Sequence, residues 1–163
     1  MERGARLDRS GRYRYRLWRI WAPEHARVAF VGLNPSTADA TVDDPTLRRC
    51  MGFARAWGFG GLELVNLYGF RATRPRDLWA ASERVGPQNA RHHRAVFRAC
   101  REVVVCWGRH GDKEGQGSAL LSWLYRKGHT PMCLGLNADG TPKHPLYIPN
   151  GTPRMVCPKP VSI

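Results

Sequence analysis

The sequence lacks a long apolar run and is short of acidic residues. No run approaches the roughly 20 apolar residues that span a bilayer, and the basic N-terminus is not followed by the apolar stretch of a signal peptide. We therefore expect a soluble, cytoplasmic protein without a membrane partner. Only 13 Asp and Glu stand against 26 Lys and Arg, a formal net charge of +13. This charge favours DNA or a nucleotide as partner, although solubility or a genomic base bias would also explain it.

The sequence also lacks the cysteine spacing of a metal site. None of its five cysteines forms a C-x-x-C pair, and the spacings of zinc and iron–sulfur ligands are absent. Three lie in apolar segments, which is typical of buried cysteines in a reducing compartment. No Walker-type phosphate loop is present. We therefore predict neither a metal nor a cofactor.

What the sequence does contain is an alternation of strand and helix patterns. The 163 residues suggest one domain, with a basic strand region over 1–22 and a Pro/Gly-rich tail from about 138. Apolar runs such as "RVAFVGL" and "EVVVCWG" predict buried strands, and "DDPTLRRCMGFARAWG" predicts a helix that Asp44 caps and Gly58 ends. The predicted order is β, β, α, β, α, α, β, α, β, tail. It indicates an α/β three-layer sandwich with a mostly parallel central sheet.

Polar residues follow the predicted strands at the edge where α/β sheets bind ligands. The strings are "GLNPST", "VNLYGFR", "CWGRHG" and "GLNADGTPKHPLY". Simpler explanations exist: Asn34 could cap a turn, Asn66 could be a buried structural amide, and a loop histidine such as His144 is usually inert. His92 and His93 are expected on a basic helix surface. Asp43 and Asp44 could hold a metal, but helix capping explains the pair adequately.

Longer strings resemble known families. "NPSTADATVDDPTLRRC", followed by "VNLYGFRATRP" and "KHPLYIP", resembles the family catalogued as domain of unknown function 1643, from residue 13 to about 149. The strand-end motifs also resemble those of the uracil-DNA glycosylase superfamily, in the same order. "FVGLNPS" is similar to its first motif, with Asn as in the mismatch-specific branch, and "LELVN" to the strand whose terminal Asn reads the base. "VVVCWGRHG" is similar to its strand and glycine turn, and "HPLY" to its second motif.

The second resemblance implies an N-glycosidase with the uracil-DNA glycosylase-like fold. Such enzymes hold a flipped base in a pocket while water attacks C1′. Asn34 would position that water, His144 would donate a hydrogen bond to the departing base, and Asn66 would pair with its edge. The implied site residues fall into three groups: base-binding Asn66, Tyr68, Phe70, Gly32 and Leu33; phosphate-binding Ser36, Thr37, Arg71, Arg109 and Lys143; and Leu146 and Tyr147 as a wedge or pocket wall.

The chain departs from the superfamily pattern where Leu146 and Tyr147 replace the usual serine after His-Pro. The base is therefore left open: normal or modified, in DNA, single-stranded or duplex, or in a nucleotide, as part of DNA repair or modified-base metabolism. A non-catalytic nucleic-acid-binding module of the same fold is the main alternative. A Mg²⁺-dependent nucleotide hydrolase using Asp43 and Asp44 is a third hypothesis. We expect a monomer.

Overall fold

A seven-stranded mixed sheet runs through the protein, for which a computed structural model describes residues 1–160. The spatial order is β1-β2-β4-β3-β5-β6-β7. The strands are β1 (Glu2–Leu7), β2 (Arg14–Ile20), β3 (Arg27–Gly32), β4 (Gly61–Asn66), β5 (Glu102–Val105), β6 (Met132–Cys133) and β7 (Met155–Val156). The pairs β3–β4, β3–β5 and β5–β6 are parallel, whereas β1–β2, β2–β4 and β6–β7 are antiparallel.

The predicted α/β class is therefore correct, but the sheet is mixed and not mostly parallel. The difference comes from the two ends of the chain. Strand β1 pairs with β2 in an antiparallel hairpin, and the short β7 adds a second antiparallel edge. Strand β7 escaped prediction, and β1 was predicted only as part of the basic strand region over 1–22, because the side chains of both are largely exposed and carry no hydrophobic period.

The helices pack on both sides of the sheet. They are α1 (Pro45–Ala56), α2 (Pro75–Ala80), α3 (Asn89–Ala99) and α4 (Gln116–Arg126). Successive residues of β3 point to opposite sides. Val28 and Phe30 pack in the cluster that includes α1, and Ala29 and Val31 in the cluster that includes α2, α3 and α4. Burial on both faces explains why β3 is a continuous apolar run. No helix within residues 1–160 combines the length and the apolar character of a membrane span.

Two buried arginines of β2 fix the loop that joins β3 to α1. Arg14 donates from Nη1 to the Ala38 carbonyl at 2.7 Å. Arg19, which is fully buried, donates to the Asp39 carbonyl at 2.6 Å and pairs with the Asp43 carboxylate at 2.9 Å. The loop over 36–44 is thus held on the sheet by charged hydrogen bonds, which are stronger than neutral ones.

Candidate functional site

A cavity of about 780 Å³ opens at the carboxyl ends of β3, β4 and β5. Because these strands are parallel neighbours, the residues that follow them meet at this edge. The cavity brings together most of the residues predicted from the sequence. Those that line it are Gly32, Leu33, Asn34, Ser36, Asp44, Asn66, Arg109, Lys143, His144, Leu146 and Tyr147.

Five predicted residues lie outside the lining. The Tyr68 ring is buried against Trp79, and its hydroxyl donates to Glu114 at 3.1 Å. Phe70 packs edge-on against Tyr13. The remaining three are Thr37, which is exposed, Arg71, which donates to the Gly11 carbonyl, and Asp43, which pairs with Arg3 and Arg19. The chain turns away from the cavity directly after Asn66, so the "LYGFR" side chains point elsewhere.

Asn34 serves both the turn and the cavity. Its Nδ2 donates to the Pro35 carbonyl at 3.0 Å and to the Ala72 carbonyl at 2.8 Å. These two bonds use both N–H groups of the amide. The acceptor Oδ1 is therefore the part of Asn34 available to a ligand or a water in the cavity.

Asn66 carries a buried amide with unused donors. The residue is 3% exposed, and its Nδ2 has no hydrogen-bond partner within residues 1–160. The amide lies directly over Gly32: a Cβ at that position would be 2.7 Å from Asn66 Oδ1. A glycine is therefore required at the end of β3 for Asn66 to occupy its place in the cavity wall.

Two side chains of α3 hold the backbone of Asn66. His93 Nε2 lies 2.7 Å from the Asn66 carbonyl, and Asn89 Nδ2 donates to the same carbonyl at 3.0 Å. Burial lowers the pKa of His93 from 6.5 to about 4, so the ring is neutral and its Nε2–H donates to that carbonyl. The prediction that His93 lies on the surface is wrong, because it shares the buried face of α3 with Val96 and Phe97.

Acid should weaken the protein through His93. Between pH 6.5 and about 4 the unfolded chain binds a proton on this residue that the folded protein does not. The free energy of unfolding should therefore fall as the pH drops through that window. His93 alone should account for about 3 kcal/mol of this decrease. In His93→Gln, where an amide can donate to Asn66, this part of the slope should disappear from urea unfolding curves. Exposed His25→Gln is the control; an unchanged slope in His93→Gln would refute the assignment.

His144 presents a hydrogen-bond donor to the cavity. Its Nδ1 accepts the backbone N–H of Leu146 at 3.3 Å, which leaves the proton of the neutral ring on Nε2. Burial lowers the pKa of His144, against an opposing effect of the Asp44 carboxylate. The imidazole is therefore neutral at neutral pH and can donate from Nε2.

Asp44 is a helix cap that also lines the cavity. Its Oδ1 accepts the N–H of Leu47 at 2.8 Å, and its Oδ2 accepts the N–H of Ala38 at 3.3 Å. It is the one carboxylate among the lining residues, all of which belong to the described part of the chain. Asp43 points instead to Arg19 and Arg3, so the two neighbouring carboxylates diverge. Within residues 1–160 no three His, Cys, Asp or Glu side chains form a group that could hold a metal.

Arg14 and Trp107 belong to the lining but were missed from the sequence. Arg14 is 2% exposed, and burial lowers its pKa to about 10, partly offset by Asp44. Arginines alternate with Tyr13, Tyr15 and Leu17, a pattern that indicates one exposed and one buried face. Strand β2 lies between β1 and β4, and residues on both of its faces are buried. The sequence pattern could therefore have indicated that some of these arginines are buried.

The unsatisfied polar atoms of the protein concentrate at this cavity. In the described residues, four buried side-chain nitrogens and oxygens have no hydrogen-bond partner, and three of them are donors that belong to residues of the cavity lining. They are Arg14 Nε, Asn66 Nδ2 and Trp107 Nε1, and the fourth is Asn89 Oδ1. A buried donor without an acceptor is unfavourable by about 1–3 kcal/mol. Trp107 Nε1 faces Gly111 and Gly117, which lie outside the lining. Arg14 and Asn66 are therefore the lining residues whose donors suit an acceptor group of a ligand.

Comparison with known proteins identifies a family but no activity. The model of the family described as "Protein of unknown function (DUF1643)" matches residues 14–146. No curated protein and no solved structure matches the chain. The match confirms the first resemblance read from the sequence, which spans nearly the same residues.

Proposed function

Because the chain belongs to the DUF1643 family, whose description carries no activity, we propose a function from the geometry of its cavity. The protein is an N-glycosidase that excises a normal or modified base from DNA or from a nucleotide. The observation that carries this proposal is that Asn34, Asn66 and His144, far apart in sequence, line a single cavity. They are the three residues to which the glycosylase resemblance gives chemical roles.

Each residue type suits its role in the reaction. Asn66 reads the flipped base through its free amide, and Asn34 Oδ1 accepts a hydrogen bond from the attacking water. As the water oxygen bonds to C1′, the C1′–N bond breaks and its electron pair leaves with the base. His144 Nε2–H donates a hydrogen bond to that developing charge. An amide cannot take the proton of the water, so Asp44, the carboxylate of the lining, accepts it.

The surroundings of the cavity support a nucleic-acid or nucleotide substrate. Arg109, Lys143 and Ser36 line the cavity, the first two are exposed, and all three contact phosphates in this proposal. Tyr147 is 85% exposed and Leu146 is 39% exposed. In this proposal they fill the gap that a flipped base leaves in the stack, or form the wall of its pocket. The proposal extends to a three-layer, uracil-DNA glycosylase-like fold, supported by helices on both sides of the parallel strands.

The proposed role of Asp44 as proton acceptor can be tested separately from its role as a helix cap. Asn caps helices about as well as Asp does, so Asp44→Asn should keep the bond from the Leu47 N–H and fold, although it loses the longer bond from the Ala38 N–H. It should nevertheless lower the single-turnover rate of base release about 100-fold or more, because the proton acceptor is gone. The matched control is Asp77→Asn, in the first turn of α2 and outside this cavity. Equal rates in the two variants would remove Asp44 from the mechanism.

Release of free base is the test of the proposal itself. A panel of DNA and nucleotides carrying normal, deaminated and hypermodified bases is incubated with the protein, and free base is measured by chromatography. Asn34→Ala should abolish release and His144→Ala should weaken it. The non-catalytic alternative, a nucleic-acid-binding module, predicts no release from any substrate. It also predicts a salt-dependent DNA affinity that survives both substitutions.

A further inference from the structure

Arg14 is a buried cation that no carboxylate of the described residues contacts directly. It is 2% exposed, and its one hydrogen bond within residues 1–160 runs from Nη1 to the Ala38 carbonyl. Its Nε has no partner. No carboxylate in that part of the chain lies within 4.0 Å of its guanidinium. The guanidinium thus keeps most of its five N–H groups without a protein acceptor.

Arg19, on the same strand, shows what a satisfied buried arginine requires. It is equally inaccessible, but it pairs with the Asp43 carboxylate at 2.9 Å and donates to three backbone carbonyls. A buried charge is tolerated when it is paired and hydrogen-bonded in this way. Arg14 has neither the carboxylate nor the set of carbonyls, so its environment is incomplete in the protein alone.

The missing partner has a place in the cavity. Arg14 lines it, as do the hydroxyl residues Ser36 and Thr46, close in sequence to Ala38 and to the N-terminus of α1. A helix N-terminus favours negative charge. The Asp44 carboxylate is a negative charge near Arg14 and partly offsets the effect of burial on the pKa of the guanidinium. It does not contact Arg14, and both of its oxygens accept backbone N–H groups.

We propose that the cavity contains an anion subsite at Arg14, where the guanidinium pairs with a phosphate or carboxylate group of the ligand. The proposal rests on the proposed function only in placing the ligand in this cavity. The anionic group has two possible sources: the phosphate of a free nucleotide, or an acidic substituent on a modified base. A backbone phosphate of DNA would meet the exposed Arg109 and Lys143 at the edge instead.

Calorimetric titration at constant ionic strength tests this subsite without requiring catalysis. The probes are deoxyuridine, deoxyuridine 5′-monophosphate and the nucleoside of a 5-carboxylated uracil. The variants are Arg14→Met, which removes the charge at similar volume, and Arg14→Lys, which keeps it. The matched control is Arg12→Met, an exposed arginine of the same hairpin that changes the net charge equally.

The wild-type protein should bind at least one anionic probe about 10- to 100-fold more tightly than deoxyuridine, the range expected for a charged hydrogen bond. The probe that gains affinity identifies the source of the anion. Arg14→Met should lose the difference, Arg14→Lys should keep part of it, and Arg12→Met should keep it.

Without ligand, Arg14→Met should melt above Arg19→Met, because it removes a buried charge that has no carboxylate in direct contact and loses one hydrogen bond, to the Ala38 carbonyl. Equal affinities for all three probes, or an equal effect of Arg14→Met and Arg12→Met, would overturn the subsite. If the anionic preference is found but no substrate releases a base, the subsite stands and the glycosidase proposal alone fails.

Discussion

Replacing Asn66 with leucine should abolish base release without destabilising the folded protein. The Asn66 amide donors have no acceptor in the described structure, so a leucine of similar shape removes an unsatisfied polar group. Urea unfolding should show stability unchanged or raised by about 1 kcal/mol. Single-turnover base release should fall about 100-fold or more, because the contact with the base edge is lost.

Asn89 supplies the comparison, since it is a buried amide of the same region whose donors are used. It donates to the carbonyls of Asn66 and Leu67 at 3.0 and 3.1 Å. Asn89→Leu should therefore lose about 1–3 kcal/mol of stability. If Asn66→Leu were destabilised as much as Asn89→Leu while base release persisted, Asn66 would be a structural amide and not a reader of the base.

Removing the Arg19 side chain should produce the largest loss of stability. Arg19→Met deletes a buried guanidinium that pairs with Asp43 and holds the backbone of Asp39 and Val42. The loop over 36–44 loses its attachment to β2, and the partly buried Asp43 carboxylate loses its main partner. The free energy of unfolding should fall by about 3 kcal/mol, as measured by urea denaturation.

Arg3 provides a matched control because it pairs with the same carboxylate from the surface. Its Nη1 lies 3.2 Å from Asp43 Oδ1, and its side chain is 38% exposed. Arg3→Met should change stability by less than about 1 kcal/mol, as is usual for exposed ion pairs. Similar losses of stability in Arg3→Met and Arg19→Met would mean that the burial of Arg19 does not determine how strongly it holds the loop over 36–44.

The gathering of the cavity residues was predictable because it depends on local rules. The apolar runs identify the parallel strands β3, β4 and β5, and parallel strands bring their carboxyl ends to one edge. Asn34 and Asn66 follow two of these strands directly. The "KHPLY" loop was placed at the same edge because it follows the last predicted strand in "GLNADGTPKHPLY", and the resemblance then gave His144 its role.

The burial of the two arginines and the bounds of β1 were not predictable by the same rules. Strand β1 is an exposed edge without a hydrophobic period. Arg14 and Arg19 are buried because the loop over 36–44 folds across β2, a contact between segments about 20 residues apart. Periodicity reports which face of a strand is apolar, but not whether a distant loop covers a charged residue.

Asn34 illustrates how the simple and the functional explanations of a residue can both hold. Its Nδ2 ties Pro35 to Ala72 and so shapes the turn after β3. The same bonds fix the orientation of the amide, which leaves Oδ1 as the acceptor toward the cavity. A turn residue fixed in this way is suited to hold a water in one position, where proximity and orientation contribute most to rate.

The most direct test of the account is the yield of free base when wild-type protein is incubated with the full panel of base-containing substrates. The double variant Asn34→Ala/His144→Ala serves as the background. The account predicts free base and a matching abasic product from at least one substrate, in the wild type only. Equal yields from the wild type and the double variant, or no free base from any member of the panel, would contradict it.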